Sequence, residues 1–597
     1  MLISFLLLTL LTAQVDRPNI LWITSEDNGP QLGCYGDTQA RTPNLDQLAS
    51  RGMRFENAWS NAPVCAPART TIITGMYAPS LGAQHMRSRV AMPDGYRLFP
   101  QLLREAGYYC VNRAKTDYNL SNLEQVWDQS NHKAHWRGRK EGQPFFAVIN
   151  FTTTHESATR RRPHTAVQDA KTIKLPDYFP DLPEIRQDWA QYYDQMAVMD
   201  SQVGVVLSQL KEDGLADQTI VFYFADHGPG FARGKRWPGN SGMQVPMIAY
   251  FPPRYQHLAP QNYQADAASP ELVSFVDLAP TILSLTGVEA PAHLQGRAFA
   301  GKKRQPEPAT LHGFRGRMDE RYDMSRSLRD RRYVYIRNYM ERLPHGQHLN
   351  YLFQTPTTRA WHQAFLDGGL DPKHAQFWQP KAREELYDLQ ADPFEIHNLA
   401  TNPDYAEVLQ RLRKSNQKHW LRVKDLGFLP EAEMHRRAGI GAPHELEFPL
   451  AELMQAADQK LPGAMQHADP AVRFWLIQGW LNRSQVLSVE QLSWLLAQAV
   501  SENPSLAVAA ADALIQLAPA THHAAARSKL LALANFETHP FFVCVAALNV
   551  MDRVSNWTEQ ELEQMADIPT ESKSIPKVMR FYIPRLMERL LSTTLSK

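Results

Sequence analysis

Three apolar segments that each end in polar, chemically reactive residues constrain the fold of this chain more than any other feature. They span residues 19–24, 145–151 and 219–225. Continuous apolar runs of this length are typical of strands that are buried on both faces of a parallel sheet. Stretches with helical character, 42–50 and 99–107, lie between the first two. This alternation predicts an α/β domain with a mostly parallel sheet flanked by helices.

Metal-competent side chains follow the three predicted strands. Glu26 and Asp27 follow the first strand, His155 follows the second, and Asp226 with His227 follows the third. In open α/β sheets, ligands bind beyond the carboxyl ends of the strands. We therefore expect these side chains to meet at a single site. Taken singly, the acidic pair is also compatible with a solvated turn, and His155 with a structural role.

The chain is long enough for several domains. Its 597 residues correspond to three or four domains at about 150 residues each. The character of the sequence changes along the chain and indicates three units after a short leader. We predict an α/β domain at residues 15–305, a smaller subdomain at 306–430 and a helical domain at 447–597.

The smaller subdomain is predicted to be antiparallel. Residues 331–337 alternate as a half-exposed strand does, and residues 384–389 are expected to pair with them. We interpret residues 345–379 as a long irregular insert. A helix that contains Leu409, Leu412 and Trp420 is expected to close the subdomain.

Three prolines mark the predicted helix starts of the C-terminal region. They follow Asp469, Asn503 and His539, and their separations are 34 (504−470) and 36 (540−504) residues. Proline is favoured at the first position of a helix that an Asp or Asn caps. The spacing resembles a short run of HEAT-like repeats, with an unrelated helical bundle as the alternative. Such a region carries no chemistry, and we interpret it as a scaffold or a surface for a protein partner.

The N-terminus and the charge balance indicate where this chain acts. The apolar run over residues 2–11, followed by Thr12-Ala13-Gln14, suits a signal peptide at residues 1–14, although no Lys or Arg precedes it and a buried first strand is the alternative. No later stretch reaches the roughly 18 apolar residues of a transmembrane helix. We expect an exported protein, either periplasmic or extracellular. A net charge of +1 and four cysteines argue against a nucleic-acid partner and a disulfide scaffold.

The most specific local signal is the segment Cys65-Ala-Pro-Ala-Arg69. It precedes a predicted helix start, and four residues separate the cysteine from the arginine, so both side chains lie on one helical face. Arg69 and the helix N-terminus together make an electropositive environment around residue 65. A lone cysteine is otherwise often a small buried apolar residue. The segment resembles the signature of the formylglycine-dependent sulfatases, which have an alkaline-phosphatase-like fold.

The resemblance extends over most of residues 17–400, including the segment Glu385–Leu399 that looks like the C-terminal hallmark of the family. It implies that Cys65 is oxidised to formylglycine by a formylglycine-generating enzyme, and that the hydrated aldehyde attacks sulfur beside a divalent ion, Ca²⁺ or alternatively Mg²⁺. The catalytic residues it implies are Cys65, Arg69, Lys115, His155 and Lys235, with Arg236 as the competitor of Lys235. The metal ligands it implies are Glu26, Asp27, Cys65, Asp226 and His227.

The motifs depart from the family pattern at two positions. Glu26 stands where an aspartate is usual, and Asp117 replaces the usual histidine near Lys115, whose preceding glycine is also absent. A histidine such as His227 is an atypical ligand for calcium, which prefers oxygen. The identity of the ion and the direct role of His227 therefore stay open at this point.

The resemblance implies hydrolysis of sulfate esters or sulfamates of sulfated carbohydrates. Around residues 74–77, 85–87 and 115–119 the sequence is most similar to bacterial relatives of heparan N-sulfatase, also called sulfamidase. One alternative is a phosphonate monoester or phosphodiester hydrolase of the same superfamily. Another is a catalytically weak glycan-binding protein, an idea that the departures at Glu26 and Asp117 motivate.

Overall fold

The protein is described here by a computed structural model that covers residues 17–121, 123, 125–571 and 575–595. The predicted signal peptide, residues 1–14, lies outside the described residues. Over the described part of the chain, no helix combines the length and the apolar character needed to cross a bilayer.

Two sheets organise the chain. The large sheet has the strand order β4-β3-β5-β1-β6-β7-β2-β8, and the small sheet has the order β12-β11-β10-β9. The strands are β1 (Asn19–Ser25), β2 (Met53–Trp59), β3 (Tyr109–Arg113), β4 (Gln129–Ser130), β5 (Phe145–Phe151), β6 (Thr219–Ala225), β7 (Met247–Tyr250), β8 (Ala267–Ser274), β9 (Leu311–Arg315), β10 (Ser325–Arg329), β11 (Tyr333–Asn338) and β12 (Glu384–Asp388).

Helices cover the large sheet and form the C-terminal region. Those up to residue 286 are α1 (Pro43–Arg51), α2 (Cys65–Thr74), α3 (Ala78–Leu81), α4 (Phe99–Glu105), α5 (Glu156–Thr159), α6 (Pro183–Glu212), α7 (Asn240–Met243) and α8 (Leu278–Thr286). The later ones are α9 (Asn350–Phe353), α10 (Pro356–Leu366), α11 (Pro372–Ala375), α12 (Ala406–Arg422), α13 (Glu431–Ala438), α14 (Leu450–Ala457), α15 (Pro470–Asn482), α16 (Val489–Ala499), α17 (Pro504–Leu517), α18 (His523–Leu533), α19 (Phe541–Met551), α20 (Glu559–Ala566) and α21 (Tyr582–Leu595).

The three predicted apolar strands are confirmed as β1, β5 and β6, and they are neighbours. Strand β1 pairs in parallel with β5 on one side and β6 on the other. Along β1, Ile20 and Trp22 belong to the core on one face, while Leu21 and Ile23 belong to the core on the other. Because successive side chains of a strand point to opposite faces, an unbroken apolar run is what a strand covered on both faces requires.

The prediction of an α/β fold with a mostly parallel sheet is confirmed, and one strand of the large sheet runs in the opposite direction. Strand β7 is antiparallel to both of its neighbours, β6 and β2. The polar segment after β6 stays at the carboxyl edge of the sheet and returns directly into β7. No helix crosses to the other edge, so β7 must run in the reverse direction.

The small sheet confirms the predicted antiparallel pairing. Strand β11 pairs with β12, with Tyr333 opposite Asp388. Helix α12 contains the three predicted core residues Leu409, Leu412 and Trp420, all buried. The interpretation of residues 345–379 as irregular was wrong, because α9, α10 and α11 lie there. Prolines at the first position of α10 and α11 begin two of these helices, a signal of the same kind as in the C-terminal region.

The predicted helix starts of the C-terminal region are confirmed at two prolines and displaced by one residue at the third. The Asp469 side chain accepts from the Ala471 amide at the start of α15, and Asn503 accepts from the Leu506 amide at the start of α17. Helix α19 begins one residue after Pro540. Helix α17 packs against both α15 and α19. The HEAT-like character of this region and the boundaries of the three units remain predictions.

Candidate active site

Helix α2 begins at Cys65, as the sequence predicts, and every residue in it is buried. Its side chains are small or apolar around the whole circumference, which is typical of a helix surrounded by protein. Gly75 ends the helix in the left-handed conformation, with φ of 63°. Only glycine adopts this conformation without strain.

Arg69 connects helix α2 to the carboxyl ends of the central strands. Its Nε donates to Asp226 Oδ2 at 3.2 Å, and its Nη1 donates to Asn150 Oδ1 at 2.8 Å. Its Nη2 lies 3.5 Å from Glu26 Oε1. Asn150 belongs to β5, whereas Glu26 and Asp226 directly follow β1 and β6. One buried guanidinium therefore holds the start of the cysteine helix against all three strands.

Asp27, Asp226 and His227 form a buried cluster that can hold a metal ion. Their ligand atoms all lie within 4.8 Å of one another. His227 Nε2 is 3.1 Å from Asp27 Oδ1 and 3.6 Å from Asp226 Oδ1. His227 Nδ1 lies 2.9 Å from the carbonyl oxygen of Gly228, which can only accept and so requires the proton on Nδ1.

That proton assignment turns the lone pair of His227 Nε2 toward two carboxylates. The Nε2 atom is buried and has no hydrogen-bond partner among the described residues. Three electron-pair donors that face one another without a proton between them need a cation, and the two carboxylates supply the oxygen ligands that Ca²⁺ and Mg²⁺ prefer. The donor set thus fits a divalent ion at the carboxyl ends of β1 and β6.

Lys235 lies on the other side of Asp27. Its ammonium group is 3.1 and 2.8 Å from the two carboxylate oxygens of Asp27, 2.8 Å from Glu156 Oε1 and 3.4 Å from His155 Nε2. Burial alone raises the pKa of Asp27, but the charge of the neighbouring Lys235 contributes most to holding that pKa well below its usual value. Burial and the neighbouring Lys235 charge lower the pKa of His155.

The Arg236 side chain is paired with other residues than Asp27 and His155. Its guanidinium makes two hydrogen bonds to Glu156, at 3.1 and 2.9 Å. Its Nη2 also lies 3.7 Å from Asp319 Oδ2. Of the two basic neighbours, the geometry therefore brings Lys235 and not Arg236 to Asp27 and His155.

Lys115 reaches the same edge of the sheet from the loop after β3. It forms an ion pair with Glu26 and lies 3.6 Å from Asp117 Oδ2. Burial lowers the pKa of Lys115, but Cys65, Glu26 and Asp117 raise it more, so the group is cationic. Glu26 thus faces Lys115 and Arg69, and it does not belong to the cluster of Asp27, Asp226 and His227. Burial, with a smaller contribution from Asp117, raises the pKa of the Cys65 thiol.

A cleft of about 540 Å³ opens onto this group from solvent. Three residues predicted for the site, Glu26, Lys115 and His155, line it. Arg87 and Arg161 line it as well, so cations outnumber anions on its walls. The cleft is therefore suited to a negatively charged ligand.

Sequence reasoning missed Glu156 and Asn150. Glu156 is fully buried between Lys235 and Arg236, and these cations lower its pKa to about 2 against the effect of burial. Its position next to His155 was the available signal. Asn150 lies within the second predicted strand, and a polar residue near the end of an otherwise apolar strand marks it in the same way.

The fold and the site together define an enzyme of the alkaline-phosphatase-like class. A putative sulfatase from Bacteroides thetaiotaomicron has a similar structure, with a TM-score of 0.52 and 20% identity over 68% of this chain and 93% of that one. The Sulfatase family profile matches residues 18–138 and 109–288.

Curated relatives show the family directly. An ulvan-active sulfatase from Formosa agariphila is 36% identical over 477 residues, which cover 72% of this chain and 78% of the relative. The human N-sulphoglucosamine sulphohydrolase is 27% identical over 473 residues, which cover 68% of this chain and 91% of that protein. The chain belongs to the sulfatase family, and it is a sulfuric ester hydrolase.

Proposed function

We propose that this protein releases sulfate from sulfated carbohydrates, with a formylglycine made from Cys65 and a divalent ion at Asp27, Asp226 and His227. The observation that carries the proposal is the position of Cys65. It lies at the start of a buried helix, one turn before Arg69, and the charges of Lys115 and Lys235 reach its thiol.

The state of the thiol supports conversion of Cys65. A cysteine acts as a nucleophile through its thiolate, and burial together with Asp117 raises the pKa of this group well above its usual value. An unmodified Cys65 would thus remain a neutral thiol at neutral pH. A formylglycine at this position would supply a hydrated aldehyde, whose hydroxyl is the attacking group in the resemblance described above.

The bound ion would make a hydroxyl group beside it more acidic and would offset negative charge on the substrate. Asp27 and Asp226 supply the oxygen ligands, and His227 supplies the nitrogen. Calcium is our first choice because two carboxylates suit a hard cation, with magnesium as the alternative.

The cationic side chains suit a sulfuryl group. The charges of Lys115 and Lys235 both act on Cys65 at the start of helix α2. Arg69 stays charged because Asp226 and Glu26 raise its pKa against the effect of burial. Preorganised cations of this kind stabilise the negative charge that develops as the bond between sulfur and the leaving group breaks. We assign sulfate binding to Lys115 and Lys235, and alignment of helix α2 with the strands to Arg69.

His155 is our candidate for protonating the leaving group. Its Nδ1 accepts from the Ser157 amide at 3.3 Å and is 2.8 Å from the Ser157 hydroxyl. The proton of the neutral ring is therefore on Nε2, the atom that lies beside Lys235. To protonate a leaving group the ring would first take up a second proton, and the imidazolium form would then give a proton to the leaving oxygen or nitrogen.

The relatives support a carbohydrate substrate. One is named for ulvan and another for N-sulphoglucosamine. The cationic cleft fits such polyanionic chains. Both sulfate esters and sulfamates agree with the site, since the role of His155 is the same for an oxygen and a nitrogen leaving group.

Two alternatives to the proposed sulfatase function can be tested in the same experiments. A phosphonate monoester or phosphodiester hydrolase would use the same cations and the same residue 65. A glycan-binding protein with little activity is motivated by Glu26 and Asp117, both of which pair with Lys115 here. A carboxylate pair on Lys115 reduces the positive charge that it offers to a sulfate.

The decisive test measures inorganic sulfate released from N-sulfated and O-sulfated disaccharides. The chain is co-expressed with a formylglycine-generating enzyme and supplied with calcium, and Cys65→Ser is the control. Release from either disaccharide supports the proposal and identifies the linkage. Hydrolysis of an aryl phosphodiester alone would support the first alternative. A protein that contains metal and aldehyde but releases nothing would support the second.

The remaining parts of the proposal concern organisation. We propose that residues 15–305 form the catalytic unit, 306–430 its C-terminal subdomain and 447–597 a helical domain that offers a surface to a protein partner. We also propose that the chain is exported to a periplasm or an extracellular space, where it would bind its polymeric substrate. N-terminal sequencing of the mature protein tests the export signal.

A further inference from the structure

The C-terminal helices hold the loop that joins β9 to β10, residues 316–324. Asn549 of α19 donates to the carbonyl oxygen of Glu320 at 2.7 Å. Arg321 forms an ion pair at 2.8 Å with Asp552, the residue that follows α19. Arg585 of α21 lies 3.7 Å from Glu320 Oε2. The position of this loop therefore depends on helices far away in the sequence.

Asp319 of this loop lies near Arg87, a residue that lines the cleft. It is 4% exposed, and its Oδ1 accepts a hydrogen bond of 3.3 Å from the hydroxyl of Tyr582 on α21. The same oxygen lies 3.8 Å from Nη1 of Arg87. Its backbone has φ of 45°, a conformation that a residue other than glycine keeps only where its surroundings hold it. Asp319 thus connects a C-terminal helix to a residue of the cleft wall.

Arg87 has unused hydrogen-bonding capacity. Its side chain is 38% exposed, and Asp319 is the carboxylate that lies within 4 Å of it over the described residues. At 3.8 Å the contact is too long for a direct hydrogen bond, so the guanidinium donors remain available to a ligand. A guanidinium matches the planar fork of a carboxylate and the oxygens of a sulfate.

We infer that Arg87 binds a second anionic group of the substrate, a uronate carboxylate or a second sulfate, and that Asp319 and Tyr582 are positioning residues that orient it. The inference rests on the proposed function, because the first anionic group is the sulfate that is cleaved. The C-terminal helices then take part in substrate recognition, through the loop 316–324.

The test measures dissociation constants by calorimetry in the Cys65→Ser background, where turnover is suppressed. The probes are a monosulfated disaccharide with a uronate carboxylate, the same disaccharide after carboxyl reduction, and 4-nitrophenyl sulfate. We expect Arg87→Ala to weaken binding of the first probe about tenfold and Tyr582→Phe about threefold, with smaller changes for 4-nitrophenyl sulfate. Tyr335→Phe is the matched control, because it removes a buried hydroxyl that donates to Glu384 at 2.6 Å, outside the cleft.

A double-mutant cycle distinguishes positioning from general stability. If Tyr582 acts through Arg87, Tyr582→Phe has no further effect in a chain that already carries Arg87→Ala. Loss of the Arg87 effect after carboxyl reduction assigns the carboxylate. If Arg87→Ala still weakens binding of a doubly sulfated, carboxyl-reduced disaccharide, the group that Arg87 binds is a second sulfate.

Three outcomes would overturn the inference. They are equal losses for all three probes, additive effects of the two substitutions, and failure of every disaccharide to bind. Turnover of 4-nitrophenyl sulfate by the chain with its natural Cys65 is measured separately. The proposed function stands if that turnover is found, even where the inference about Arg87 fails.

Discussion

The ammonium group of Lys235 donates to both carboxylate oxygens of Asp27, at 3.1 and 2.8 Å. The same carboxylate accepts from the Glu156 amide at 2.8 Å and lies 3.1 Å from His227 Nε2. Asp27 is therefore shared between a cationic side chain and the cluster that we assign to a metal ion. Its position two residues after the end of β1 makes this sharing possible, since the segments after β5 and β6 reach it from either side.

Removal of divalent cations is expected to lower both the melting temperature and sulfate release. Without a bound ion, Asp27 and Asp226 face each other as like charges, and a ligand that binds only the native state stabilises it. Differential scanning fluorimetry in EDTA, followed by addition of Ca²⁺ or Mg²⁺, measures this change. Asp226→Asn should make the melting temperature insensitive to the chelator. An unchanged melting temperature and full turnover in EDTA would contradict the metal assignment.

Cys65→Ser is expected to nearly abolish turnover without unfolding the protein. A serine hydroxyl could attack sulfur, but its sulfate ester lacks the easy elimination that a hydrated aldehyde allows. Sulfate release measures turnover, and mass spectrometry of the peptide around residue 65 measures whether that residue has been converted to the aldehyde. Cys34→Ser, at a half-buried cysteine outside the site, is the control and should retain activity. Full activity of Cys65→Ser would refute the mechanism.

Glu156→Gln is expected to destabilise the fold by about 3–5 kcal/mol, because it leaves the buried cations Lys235 and Arg236 without a shared counter-charge. Glu307→Gln is the matched control, since its partner Arg331 is 57% exposed and such pairs contribute less than about 1 kcal/mol. Urea unfolding of both variants measures the difference. Similar losses of unfolding free energy in Glu156→Gln and Glu307→Gln would contradict the prediction that burial makes the Glu156 ion pairs more important for stability.

His85 is expected to make stability depend on pH between about 4 and 6.5. Burial lowers its pKa to about 4, and its Nδ1 accepts the Arg317 amide at 2.9 Å, which only a neutral ring can do. The unfolded chain takes up the proton first, so stability is full above pH of about 6.5 and is lost as the pH falls toward 4. At pH 5 the loss from this group is roughly 2 kcal/mol.

The matched variant is His85→Asn, whose side-chain oxygen accepts the same amide without titrating. The free energy of unfolding is measured at pH 7.5 and pH 5 for both chains. We expect the variant to lose less stability than the wild type between these two values. Identical losses would show that His85 does not contribute to the acid sensitivity.

The sequence was most informative where the signal is local. Apolar runs and the polar residues after them led to β1, β5 and β6 and to a shared edge, and the spacing from Cys65 to Arg69 led to a helix start. It was less informative about direction and about buried partners. No local sequence pattern around β7 indicates that this strand is antiparallel. Its direction depends on the segment after β6, which stays at the carboxyl edge of the sheet and enters β7 from there. Glu156 could not be distinguished from a surface acid without knowing which cations surround it.

The amino-acid sequence by itself determined the α/β class and the family and predicted a set of reactive residues, since these depend on periodicity and on short motifs that neighbouring residues specify. Only the tertiary structure decided which residue each charged group meets. It paired Glu26 with Lys115, gave Glu156 to Lys235 and Arg236, and brought Tyr582 to Asp319 across 263 positions of the chain. Such contacts depend on how distant segments pack and on the need of buried charges for partners, and no local pattern encodes them.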